Sequence, residues 1–236
     1  MPCSQEEHPH HVYQQGASLP AWVLIGLMLA LLASVPARGS DDAALQAVID
    51  DADITYRTTF HLPCSDATWQ ALVDDPVLFA DLWNVYGYGP AYTVRATGPA
   101  LHVSDPTGLA GEVTIVEASA QRRRYLVAGR VDHWAVPFMN EGDAAFVLDT
   151  AVGDTGASAS TVTGELTVYV QAGNSFAGLI MRLGRSVLLD HVANRVELNL
   201  RDASKLLQRI ENHPERVRRK VGPALWARLQ KALPAD

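Results

Sequence analysis

Between residues 91 and 170 the chain reads as six strand-like runs separated mostly by short breaks, and this pattern constrains the fold more than any other feature. The runs are Ala91–Ala96, Ala100–Ser104, Gly111–Glu117, Arg122–Val131, Asp143–Val152 and Ser160–Val170. They are rich in β-branched and aromatic residues, and the breaks carry Gly98-Pro99, Asp105-Pro106 with Gly108, and Gly153-Asp154 with Gly156. Hairpin-length connections join antiparallel neighbours, whereas parallel strands need crossovers of about a dozen residues or more. The pattern predicts an antiparallel meander.

A further strand is expected at Ile54–Leu62, ended by Pro63-Cys64-Ser65. Ser65 can cap a helix at Asp66–Val73, and Asp75-Pro76 opens a second short helix with Leu78, Phe79, Leu82 and Trp83 at helical spacing. Gly87, Gly89 and Pro90 end it. After the last strand, Asn174 or Ser175 is expected to cap a long helix reaching about Asn212. Its apolar stripe is Phe176, Leu179, Ile180, Leu183, Val187, Val192, Val196, Leu206, Leu207 and Ile210. The expected class is α+β: a curved seven-stranded antiparallel sheet whose apolar face must be covered. A helix of about 35 residues, near 50 Å long, suffices to lie across the concave side. The two short helices after the first strand would close one end. A curved sheet gripping one helix seldom fills its interior, so a cavity is expected.

The chain's 236 residues and 48 % hydrophobic content suffice for a sizeable core. A formal charge of −7 argues against general nucleic-acid binding. The charge is uneven, with an acidic first half and a basic tail. Residues 19–37, LPAWVLIGLMLALLASVPA, form the one long uncharged stretch. It reads as a signal peptide cleaved after Ala37, as an uncleaved anchor, or as a buried core helix. The first two readings place the chain beyond residue 37 outside the cytoplasm, periplasmic or secreted, or anchored to the membrane. They would also separate Cys3 from Cys64, leaving Cys64 a plain buried thiol. The expected organisation is a leader over 1–39, an acidic linker over 40–53, a domain over 54–212, and a basic amphipathic helix over 213–236. In that last helix Arg216, Arg218, Arg219 and Lys220 stand beside Trp226, a composition suited to a membrane surface. The alternative is a solvated face whose apolar stripe packs on the domain.

The sequence contains no metal-ligand spacing, P-loop, dinucleotide fingerprint or nucleophile elbow, so no metal and no cofactor is expected. No catalytic residue is assigned, and no feature sets an oligomeric state. Asp132 and His133 are adjacent, and neighbours on a strand point to opposite faces. Two segments stand out. Trp83, Tyr86, Tyr88 and Tyr92 crowd a helix-to-strand junction, either lining a pocket mouth or plugging the sheet end. His133, Trp134, Val136, Phe138 and Met139 make an unusually apolar connection, which either covers or touches something or folds back onto the sheet.

Over residues 54–212 the order of elements resembles the helix-grip fold of the START-like superfamily. That superfamily includes lipid-transfer domains, the birch-pollen allergen group and polyketide cyclases. The resemblance rests on the strand followed by Pro63 and the capped Ser65–Trp69 helix, the short helix pair ending at Trp83, and the long terminal helix. It implies a cavity bordered by Trp83, Tyr86, Tyr88, Tyr92, Trp134, Phe146, Tyr169, Phe176 and Ile180, and a gate formed by the Trp134 connection. The function it implies is binding or transfer of a lipid or other hydrophobic small molecule, without catalysis. Two other readings stand beside it. One is a cyclase- or dehydratase-type enzyme using His102, His133 or Tyr169 as acid or base. The other is a membrane-tethered interaction protein.

Overall fold

The computed structural model describes residues 39–98, 100–106, 109–131, 142–152, 161–172 and 184–233. The strands are β1 (Ile54–Leu62), β2 (Thr93–Thr97), β3 (Ala100–Ser104), β4 (Leu109–Ala118), β5 (Arg122–Val131), β6 (Gly142–Val152) and β7 (Val162–Ala172). The helices are α1 (Gly39–Asp50), α2 (Asp66–Val73), α3 (Pro76–Val85), α4 (Arg185–Asn212) and α5 (Pro214–Ala232). The sheet order is β1-β7-β6-β5-β4-β3-β2, antiparallel throughout. The meander expected from the short breaks is present, and β1 joins it along β7, from Ile54 opposite Val170 to Leu62 opposite Val162. This curved sheet gripping a long helix is the helix-grip fold. The long helix begins at Arg185, because Gly184 takes a positive φ of 76° and breaks the run expected to continue unbroken from Asn174 or Ser175; residues 173–183 lie outside the described residues.

The strands β4 to β7 feed two cores, because successive side chains point to opposite faces. The larger core gathers Ile54, Phe60 and Leu62 of β1, Val113 and Ile115 of β4, Tyr125 and Val127 of β5, and Leu166, Val168 and Val170 of β7. Against them pack Trp69, Leu72, Leu78, Leu82 and Trp83 of the short helices and Val192, Val196, Leu206, Leu207 and Ile210 of α4. Full burial of each such side chain contributes about 1.5–3 kcal/mol. On the opposite face, Leu45 and Val48 of α1 cover Val116 and Val147, with Ile49, Leu126 and Tyr169 at the margin. The 40–53 segment, expected to be a linker, is therefore mostly a helix with a core of its own. Its buried residues, Leu45 and Val48, are a single i, i+3 pair, too short a stripe to stand out in an acidic stretch.

A bulge in β4 between Ile115 and Glu117 leaves Val116 without a cross-strand partner and locally kinks the strand. Gly111 of β4 lies opposite Gly129 of β5. A Cβ on it would stand 3.1 Å from the Ala128 carbonyl oxygen and 3.3 Å from the Gly129 Cα, so a side chain here would press the partner backbone away by a few tenths of an ångström.

The helix ends are fastened by side chains. Ser65 caps α2 by accepting from the Thr68 amide at 3.2 Å, and its own amide and hydroxyl donate to the Glu211 carboxylate near the end of α4, each at 2.7 Å. Asp75 caps α3 by accepting from the Leu78 amide at 3.0 Å, with Pro76 in the first turn. Arg123 of β5, 5 % exposed, donates to Gln70 and Asp74 at 2.7 Å and so ties the end of α2 to the sheet.

The basic helix packs inward. Val217 and Leu229 of α5 are fully buried, and Val221, Leu225 and Trp226 lie against the main core. Arg228 donates to Asp75 at 2.5 and 2.8 Å, fixing α5 to the cap of α3. Trp226, expected as a membrane contact, is thus engaged with the domain, while Arg216, Arg218, Arg219 and Lys220 are exposed. The helix is kinked where Gly222 takes φ 79° before Pro223, as the Gly-Pro pair implies.

Candidate ligand site beneath the long helix

The junction between α3 and β2 builds the site. Asn84, in the last turn of α3, clamps Tyr92: its amide nitrogen donates to the Tyr92 carbonyl at 2.7 Å, and its amide oxygen accepts from the Tyr92 backbone at 2.9 Å. The Trp83 indole donates to the Pro90 carbonyl at 3.1 Å across the cis Gly89-Pro90 peptide. Held at both ends, this short connection puts the Tyr92 ring inside the domain, 2 % exposed.

There its hydroxyl meets α4. Arg195 donates to the Tyr92 hydroxyl oxygen at 3.0 Å and to the Gly89 carbonyl at 3.3 Å, and the Asn199 amide donates to the same hydroxyl at 3.5 Å. Arg195 and Asn199, one turn apart on the inward face of α4, are 7 % and 2 % exposed. Burial pushes the Tyr92 hydroxyl far above its ordinary value, with Arg195 and Asn199 drawing it partly back and Asp105 adding to the rise. The phenol therefore keeps its proton at physiological pH. Arg195 Nε is buried with no hydrogen-bond partner. Val192 and Val196 flank this polar group on the same helix, which sets it within an apolar wall.

Topology places the group near one end of the sheet. Thr93, next to Tyr92, pairs with Ser104 at the end of β3, and the β3–β4, β5–β6 and β7–α4 connections leave the sheet from that same end. The first turns of α4 continue from there, whereas its last turns meet α2 at the opposite end.

Of the residues expected around a cavity, the structure brings Trp83, Tyr86, Tyr88 and Tyr92 together, but in different roles. Trp83 is core, edge-on to Phe79 and Tyr88 with ring centroids 6.1 and 5.2 Å away. Tyr86 and Tyr88 stack at 5.9 Å and hold Arg209 of α4 over their rings at 5.0 and 5.6 Å, and Arg209 also donates to the Tyr88 hydroxyl. Tyr92 alone of the four presents its hydroxyl to the buried polar group on α4. Tyr169 stands on the other sheet face, against α1, because its position in β7 is out of phase with Val168 and Val170; the expected lining role is corrected. Phe146 stands opposite Val170 in register, and its side chain lies outside the described residues. Trp134, Phe176, Ile180 and the gate residues His133, Val136, Phe138 and Met139 also lie outside them.

His102, the acid/base candidate on β3, is half-exposed and stands 3.7 Å from Glu112, so it does not reach the interior. Among the described residues no group of three or more His, Cys, Asp or Glu side chains is placed to hold a metal ion. None of the described helices is long and apolar enough to cross a membrane. Sequence reasoning, drawn to the apolar stripe, misses Arg195 and Asn199. Their signal is a pair of polar residues at helical spacing that falls in phase with Val192 and Val196.

In fold the chain is a helix-grip domain. No protein-family model matches it, and neither does any curated protein. Similar solved structures include the protein XoxI from Bacillus cereus, at 13 % identity and TM-score 0.43, covering 67 % of this chain and 99 % of that one. Norcoclaurine synthase from Thalictrum flavum is similar at 11 % identity and TM-score 0.43, over 68 % of this chain and 87 % of that one. A conserved protein from Geobacillus kaustophilus is similar at 10 % identity and TM-score 0.44, over 64 % and 96 % respectively.

Proposed function

We propose that this domain binds a hydrophobic small molecule or lipid between the sheet and α4, without catalysing a reaction. The observation that carries the reading is the polar group formed by Tyr92, Arg195 and Asn199. It is buried in an apolar interior and lies near the end of the sheet from which three connections depart. A few oriented polar groups in an otherwise apolar surround are what an orienting ligand site requires. Apolar burial, at about 25 cal/mol per Å², would drive uptake, and the polar group would set orientation. The acid/base residues that a cyclase or dehydratase needs gain no support from His102, which is outside the interior, or from Tyr169, which faces α1. The apolar stretch over 19–37 favours carriage outside the cytoplasm as the setting, by a secreted or membrane-anchored protein.

Native mass spectrometry of the chain purified gently from cells, followed by solvent extraction, tests the reading. A discrete added mass that extraction releases as an apolar compound is expected. A ligand-free mass that stays unchanged after exposure to membrane extract would contradict it and shift weight to an interaction protein.

A further inference from the structure

We propose that the exposed basic face of α5 docks the domain on an anionic phospholipid surface, with the side that carries α4 turned to the membrane. The choice of a lipid surface rests on the hydrophobic-ligand reading above, since such a ligand partitions into bilayers.

The first half of α5 builds the face. Val217 is fully buried, and Arg216, Arg219 and Lys220, at i, i+3 and i+4, share one side of the helix and are exposed. Arg218 is exposed too and stands 4.0 Å from Glu215. Of the other carboxylates near α5, Asp75 and Asp81 pair with Arg228, and Glu211 takes bonds from Ser65. The surface of this stretch is therefore basic. Its apolar side is already engaged: Val217 and Leu229 are buried and Trp226 lies against the core. The helix would thus meet a membrane by charge and not by insertion.

The charge is divided across the sheet. On one side α5 packs on α3 and α4, and on the other α1 covers the opposite face. Asp41, Asp42, Asp50, Asp51 and Asp53 lie in α1 and the turn after it, a stretch with no Lys or Arg. The formal charge of −7 hides this division. Each Lys or Arg close to anionic headgroups contributes about fivefold in binding. Acids beyond the sheet lie farther from such a surface than the Debye length of about 8 Å and are screened, since one helix alone is about 10 Å across. A domain polarised in this way turns its α5 side to the lipid.

The test is partition of the full chain onto phosphatidylcholine vesicles and onto vesicles of phosphatidylcholine and phosphatidylglycerol in equal parts. The stretch over 19–37 carries no charge and acts alike on both, so the ratio of the two affinities reads the electrostatic contact. The wild type should prefer the anionic vesicles, and about 1 M salt, where the Debye length is about 3 Å, should abolish the preference. Arg219→Gln should lower the ratio about fivefold, and Arg216→Gln/Arg219→Gln/Lys220→Gln about a hundredfold. Arg57 is an exposed cation on the α1 side of the sheet, since its neighbour Tyr56 bonds to Glu197 of α4. Arg57→Gln should therefore change the ratio less than about twofold. Circular dichroism checks folding; if the triple variant does not fold, the single ones decide. Acylation of Lys220, read by peptide mapping, should also be slower on anionic than on neutral vesicles. No preference for anionic vesicles, equal losses from Arg57→Gln and Arg219→Gln, or unslowed acylation of Lys220 overturns the docking face. None of these outcomes touches the added mass sought by native mass spectrometry, so the docking face and the ligand reading fail separately.

Discussion

Tyr92 shows how one side chain joins local structure to function. Asn84 fixes its backbone, its ring fills the core beside Trp83, and its hydroxyl is the shared acceptor for Arg195 and Asn199. Removing that oxygen leaves two buried donors short of a partner, which costs about 1–3 kcal/mol. Tyr92→Phe should therefore lower the stability measured by urea unfolding by that amount, with little change in the slope of the transition. A variant as stable as the wild type would mean the hydroxyl is not part of a satisfied network. Cys64 supports a second prediction. It is a buried free cysteine, as expected from the sequence, and burial, with Glu211 and Asp66 nearby, pushes its thiol up to about 12. Since the thiolate is the reactive form, iodoacetamide at neutral pH should leave Cys64 unlabelled in the native protein and label it after unfolding, as read by peptide mapping. Rapid native labelling would show that the thiol is accessible.

At the scale of elements, α1 is a helix where a linker is expected, and α5 takes the packed one of the two placements its sequence allows; each can be tested. If α1 is a packed helix, Leu45→Ala should cost about 2–5 kcal/mol, as loss of a buried leucine does; a linker would tolerate the change. If the stripe of α5 faces the domain, Leu229→Ala should destabilise by a similar amount, while Arg219→Gln stays within about 0.5 kcal/mol. The link between α2 and α4 depends on pH. Burial works against the Glu211 charge, but bonds from the Ser65 hydroxyl and amide and from Thr68 outweigh it and hold the carboxyl below its usual value. A depressed carboxyl stabilises above its unfolded pKa, and that contribution disappears as pH falls through the folded value. Glu211 is largely exposed, so the effect should be modest, under about 1 kcal/mol. Wild type should exceed Glu211→Gln in stability at neutral pH, and the gap should close as the pH drops below about 4. A gap that persists in acid would assign the loss to packing.

Across the whole molecule, the sheet was largely legible because its information is local. Short breaks dictate antiparallel neighbours, and Ser65 and Asp75 announce the two short helices as caps. The second core was harder to see. Val116, Leu126, Val147 and Tyr169 sit on strands whose other face is also apolar, so alternation gives no clue to which set meets α4 and which meets α1. The same ambiguity put Tyr169 in the expected cavity. The aromatic junction was visible as a composition, but the division of labour between core Trp83, the Arg209 clamp and Tyr92 depends on contacts more than 100 residues apart in sequence. Arg195 and Asn199 could be found only by asking which polar residues share the phase of the apolar stripe.

Following the Arg195 Nε–H resonance, assigned by its loss in Arg195→Lys, during titration of the full chain with dodecanoate tests the central claim most directly. The account predicts a saturable shift of that resonance, accompanied by changes at Tyr92 and Val196 on the inward face of α4. A titration that saturates with those signals unmoved, or with changes confined to the outer surface between α3 and α5, would contradict it.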